Sequence, residues 1–219
     1  MSMYNPEATR TVLHQLIVKY PDVAGCRQQI EKAVELIADS FRQGGKLLVC
    51  GNGGSASDSE HIVGELMKGF MSKRPLSGEQ REGFLTAFPA EGSYLADHLQ
   101  GALPAISLVS QSAFLSAYAN DVAPDMAFAQ QVYGYAKPGD VLLGISTSGH
   151  SANVLRAVQV ARALGVSTIG LTGQTGGKLA ELSDVTICVP YQSTQDIQER
   201  HLPIYHAICI ALEEQFFGV

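Results

Sequence analysis

Several familiar signals are missing from this 219-residue chain. Its four cysteines, Cys26, Cys50, Cys188 and Cys209, contain no CxxC pair, which argues against a disulfide framework and a thiolate metal cage. They read instead as small buried hydrophobes. There is no excess of basic residues: 15 Lys and Arg stand against 21 Asp and Glu, a formal charge of −6. A nucleic-acid surface needs clustered positive charge, so no nucleic-acid partner is expected. No run approaches the roughly 18 apolar residues of a membrane span. Residues 1–16 lack the basic-then-apolar order of a signal peptide, so a cytoplasmic location without membrane contact is expected. No internal repeat or low-complexity tract appears.

What is present is the composition of a globular protein, with 46% hydrophobic and 16% charged residues. Two helical segments come first, about 8–19 and 23–43, the second with Ile30, Val34, Ile37, Ala38 and Phe41 at helical spacing and Gly44-Gly45 at its end. Short apolar runs follow at 46–50, 105–109, 141–145, 168–171 and 185–189, suited to strands buried on both faces. Helical patterns at 57–71, 127–135 and 151–164 separate most of them, and a last helix covers about 197–217. Such alternation predicts a single α/β domain over 1–219, with a doubly wound five-stranded parallel sheet flanked by helices and preceded by the N-terminal helices of 1–45. Residues 76–103 break the alternation and read as a surface excursion with a short helix near 94–100, either covering substrate or making an oligomer contact.

Two loops carry chemistry. Gly51-Asn52-Gly53-Gly54-Ser55 follows the first strand and opens a helix, where free amides face an anion. The dinucleotide fingerprint is incomplete, because Ala56 stands where a third glycine would be and residues 71–74 offer no acidic ribose ligand. The second loop, Gly144-Ile145-Ser146-Thr147-Ser148-Gly149-His150-Ser151, offers hydroxyls and a helix start to a phosphate. No lysine completes a Walker loop. On the first helix His61 and Glu65 lie four apart and share a face, suiting a metal or an acid–base pair.

These two loops resemble the sugar-isomerase (SIS) domain and, within it, the phosphoheptose isomerase family, along nearly the whole chain apart from 76–103. The resemblance implies an aldose–ketose isomerase that converts sedoheptulose 7-phosphate to D-glycero-D-manno-heptose 7-phosphate for surface-glycan heptose. It implies one zinc per subunit held by His61, Glu65, Gln198 and His206, with Glu65 and His206 in the acid–base roles. Asn52, Gly53, Gly54, Ser55, Asn120, Asp121 and Gln198 would contact the sugar, and Ser146, Thr147, Ser148 and Ser151 the phosphate. His150 stands where the family often has Asn. A homotetramer with sites at subunit boundaries is implied too. Related SIS proteins handle other phosphosugars or act as non-catalytic modules, such as an oligomeric partner of a replication initiator; retention of all four ligands favours catalysis. Gln198 and His206 are eight apart, about 12 Å along a straight helix, so a shared ion requires a reaching Gln, a bend near Pro203, or a ligand from another subunit. His14, His98 and His201 have no comparable context and are expected at the surface.

Overall fold

The computed structural model describes residues 5–218. Five strands form one wholly parallel sheet: β1 (Leu47–Gly51), β2 (Ala105–Ser107), β3 (Val141–Ser146), β4 (Ser167–Thr172) and β5 (Val185–Cys188), in the order β2-β1-β3-β4-β5. Side chains in β1 alternate between two cores, as a pleated strand covered on both faces requires. Leu47 and Val49 join the core under α1 (Pro6–Lys19), α2 (Arg27–Arg42), α3 (Gly54–Met67) and α10 (Thr194–Phe217). Leu48 and Cys50 join the opposite one, under α7 (Ala127–Tyr135), α8 (Ala152–Ala163) and α9 (Gly177–Leu182). The predicted doubly wound α/β fold is therefore what forms.

The order matters for function. β1 and β3 are neighbours, yet their connections leave in opposite directions, so a crevice opens beyond their carboxyl ends. Both Gly/Ser loops emerge there.

Several elements differ from expectation. The second N-terminal helix is broken: Pro21–Cys26 is a 3-10 turn, and α2 starts only at Arg27. The excursion contains two helices rather than one. These are α4 (Gly78–Ala87), started by a Ser77/Gln80 capping box, and α5 (Gly92–His98), pinned to α4 by the Arg81–Asp97 ion pair at 2.5 Å. The helix α6 (Ser112–Asp121) and α9 were not anticipated either. His201, expected at the surface, is fully buried on α10 against the sheet; desolvation lowers its pKa to about 4, so it is neutral. His14 and His98 are exposed as expected.

A buried ion pair fixes where the excursion leaves and returns. Arg74 and Glu213 are both almost completely buried and bond Nε to Oε1 at 2.6 Å. Glu213 also accepts the amides of Phe70, Met71 and Ser72. Arg74 reaches the carbonyls of Glu65 and Leu66 at the end of α3, and its own carbonyl accepts Gly101 N–H. Three chain segments are thereby tied to α10.

Candidate active site

The phosphate-type loop is built by two interlocked turns. Ser146 and Ser151 share a hydrogen bond of 2.9 Å between their hydroxyls, and the Ser148 hydroxyl accepts the His150 amide at 3.2 Å. Gly149 has φ +67, and a Cβ there would meet the Gly176 carbonyl oxygen at 2.1 Å. Only glycine lets the β3–α8 loop lie against the β4–α9 loop this closely. Between them opens a cavity of about 220 Å³ lined by Thr147, Ser148, Gln174, Thr175, Tyr191 and Gln192. The last four were not picked out in the sequence, although Thr172-Gly173-Gln174-Thr175-Gly176-Gly177 is a third small-residue turn after a strand and was legible as one. His150 is exposed, and its ring makes no hydrogen bond among the described residues.

The first loop is held to the second by a paired amide contact. Asn52 Nδ2 donates to Asn153 Oδ1 and Asn153 Nδ2 donates to Asn52 Oδ1, each at 2.8 Å. Ser55 is buried at the first turn of α3, and Gly53 and Gly54 are open to solvent beside it. Gly54 packs on the Gln198 side chain: an added Cβ would stand 2.5 Å from Nε2. Gln198 thus belongs to the loop mouth.

Two turns further along α3, about 10 Å by helical rise, lies a second group. His61 Nε2 is 3.2 Å from Glu65 Oε1, and His61 Nδ1 is 3.0 Å from the Tyr205 hydroxyl. The His206 ring stands edge-on to His61 with centroids 5.0 Å apart, and its Nε2 is buried without a hydrogen-bond partner. Burial, then the nearby His61, lower the His206 pKa, so this imidazole is neutral at pH 7. Glu65 Oε2 meets Lys68 Nζ at 3.0 Å.

The donor chemistry fits zinc. Two ligands about 2.0 Å from a tetrahedral ion are separated by roughly 3.3 Å, close to the His61–Glu65 spacing. The His206 Nε2 next to them is buried without a hydrogen-bond partner. Within one chain the set does not close: among the described residues no three His, Cys, Asp or Glu side chains form a metal-holding group. Gln198 sits at the loop mouth while His206 sits beside His61, so the eight-residue spacing separates them along α10, which runs from Thr194 to Phe217 with Pro203 inside it. Asn120 and Asp121 stand apart, exposed at the end of α6 and bonded to each other at 2.8 Å, with no hydrogen bond to either loop among the described residues.

Comparison with known proteins points to one family. SIS-domain profiles match residues 101–212 and 23–81. A phosphoheptose isomerase of Thiobacillus denitrificans is 42% identical over 194 residues, 87% of this chain and 85% of that one. One of Rhodospirillum rubrum is 40% identical over 86% of this chain and 87% of its own. The chain belongs to the phosphoheptose isomerase family. Among solved structures, the phosphoheptose isomerase of Neisseria gonorrhoeae superposes with a TM-score of 0.67 at 32% identity, covering 92% of this chain and 98% of that chain. The two profile matches leave residues 82–100, most of α4 and α5, between them.

Proposed function

We propose that the chain interconverts sedoheptulose 7-phosphate and D-glycero-D-manno-heptose 7-phosphate, an aldose–ketose isomerisation that supplies heptose for surface glycans. The observation that carries this reading is the pairing of a hydroxyl-lined loop with the His61–Glu65–His206 group, in a chain about 40% identical to phosphoheptose isomerases over most of its length.

The phosphate end binds at Ser146, Thr147, Ser148 and Ser151, where hydroxyls and the start of α8 supply donors without any cationic side chain. That suits an acidic protein, since selectivity comes from the shape of the donor array rather than net field. Asn52, Gly53, Gly54 and Ser55 orient the sugar chain, with Gln198 beside Gly54; Asn120 and Asp121 complete the contacts from outside this loop pair. Isomerisation moves a proton between C1 and C2 through an enediol. Glu65 takes and returns the carbon-bound proton. His206, neutral and with a free nitrogen, moves the oxygen-bound one. His61 orients Glu65 through their 3.2 Å contact. Zinc, held by His61, Glu65, His206 and Gln198, would supply polarisation of the carbonyl and hydroxyl oxygens.

The site is proposed to be completed at subunit boundaries of a homotetramer working in the cytoplasm. In support, the loop mouth and the His61 group lie about two helical turns apart in one chain. Gln198 and His206 are divided between them, and no helix is long and apolar enough to cross a membrane among the described residues. An isomerisation assay on sedoheptulose 7-phosphate tests the proposal. Activity should appear, disappear with a zinc chelator and return with zinc; a protein that binds the sugar phosphate but never isomerises it is a binding module instead.

A further inference from the structure

Glu65 stands in the last turn of α3, where backbone carbonyls lack helical partners and helices fray. The usual remedies are missing there. The C-cap, Lys68, is extended at φ −134 and ψ 171, and the last turn holds no basic residue. No glycine beside it has the positive φ of a left-handed cap. The carbonyls are met instead by a side chain nine residues beyond Glu65. Arg74 Nη2 donates to the Glu65 carbonyl at 3.1 Å, and Nη1 donates to the Leu66 carbonyl at 2.7 Å. Leu103 N–H adds a second bond to Leu66 at 3.0 Å. The planar guanidinium spans two adjacent carbonyls and sets a positive charge at the negative end of the helix dipole.

The placement of Arg74 is strained. It is the one non-glycine residue with positive φ among the described residues, at +45. Side chains avoid that region, and such outliers persist only where the surroundings over-determine them. Here Nε bonds Glu213 Oε1 at 2.6 Å, and the guanidinium lies over the Phe217 ring, 4.8 Å from its centroid. Glu213 follows His206 by seven residues on α10, two turns along the same face. Arg74 therefore clamps the helix end that carries Glu65 to the helix that carries His206. We propose that Arg74 is a positioning residue for the isomerisation: its fork fixes the last turn of α3, and with it the Glu65 carboxylate, relative to His206. The stem of the excursion thereby serves the site without touching substrate. This role rests on the reading of Glu65 as the proton-transfer group, but the order of the α3 terminus is a property of the protein without substrate.

The test compares wild type with Arg74→Met/Glu213→Leu and with Arg74→Lys, all well below their unfolding midpoints. The double variant removes both buried charges together, which separates stability from the clamp. Lysine keeps a charge opposite Glu213 but cannot span two carbonyls, and it decides the question if the double variant does not fold. Amide exchange read by mass spectrometry should rise about tenfold or more across residues 63–67. The kcat for sedoheptulose 7-phosphate, per folded molecule, should fall about 10–100-fold, the loss expected when a reacting group is misplaced by about 1 Å. KM should stay within about twofold, because both substrate loops are untouched. A residue that only stabilises the fold would leave kcat per folded molecule at the wild-type value. Wild-type kcat in the deciding variant, a rise in KM alone, or unchanged exchange at the end of α3 overturns the proposal. A wild-type protein inactive on the sugar phosphate counts against the isomerase reading, and exchange at the end of α3 then decides the clamp by itself.

Discussion

Replacing Glu213 with alanine should be among the most damaging single changes outside the site. The carboxylate is 2% exposed and its partner Arg74 0%, so the change strands a guanidinium away from water. Removing one partner of such a pair costs about 3–5 kcal/mol. The amides of Phe70, Met71 and Ser72 lose their acceptor as well, although that segment is open enough for water to replace part of it. Against a net stability on the order of 5–15 kcal/mol, this is a large fraction. For a chain of this size it lowers the thermal midpoint by on the order of 10 °C. Thermal and urea unfolding at one fixed protein concentration would measure it. Glu213→Gln keeps one acceptor oxygen and should lose less, and Arg74→Met with Glu213→Leu should recover part of the loss by removing both charges. The acid side offers a second readout. Burial alone would raise the Glu213 pKa, but the Phe70 and Met71 amides and Arg74 hold it below its ordinary value of 4.5. A depressed folded-state pKa contributes stability that is fully present above pH 4.5 and is lost as pH falls below it through the folded value. The alanine variant should therefore lose less stability than wild type over that acid window. A variant within 1 kcal/mol of wild type, with the same acid profile, would refute the reasoning.

Two changes at the loops should separate positioning from fold. Gly149→Ala places a methyl 2.1 Å from the Gly176 carbonyl at a left-handed φ, so it should cost about 1–2 kcal/mol from backbone strain alone, more from the clash, and raise KM for the sugar phosphate. Urea unfolding and steady-state kinetics check both effects. Asn153→Ala breaks the paired amide bonds to Asn52 and should cost only about 1 kcal/mol of stability while raising KM, as kinetics on a folded variant would show.

The sheet was readable because its strands are buried on both faces. Val141 to Ile145 is a continuous apolar run for that reason, and the same holds for β1 and β4. The two main loops were readable because anion-binding turns use a small set of residue types. What escaped the sequence was tertiary. His201 looks like any polar residue on a helix near Arg200 and Glu199, and only the docking of α10 against the sheet buries it. The helices of the excursion bury little apolar surface, α4 none of its residues, so they carry no strong periodicity; α5 was expected near 94–100, while for α4 the Ser77–Gln80 cap was the legible sign. Nor could spacing show that Gln198 reaches back to Gly54 while His206 meets His61, because helical rise separates them without saying what lies opposite each. Tyr205 reads as one more apolar residue of α10 until its hydroxyl is seen against the imidazole.

The most direct measurement is isomerisation of sedoheptulose 7-phosphate in deuterated water by wild-type protein and by Glu65→Gln. Proton transfer at Glu65 predicts aldose carrying solvent deuterium at C2 from the wild type. It also predicts no detectable turnover from a Glu65→Gln variant whose unfolding midpoint is unchanged. Product from Glu65→Gln at the wild-type rate would contradict the account.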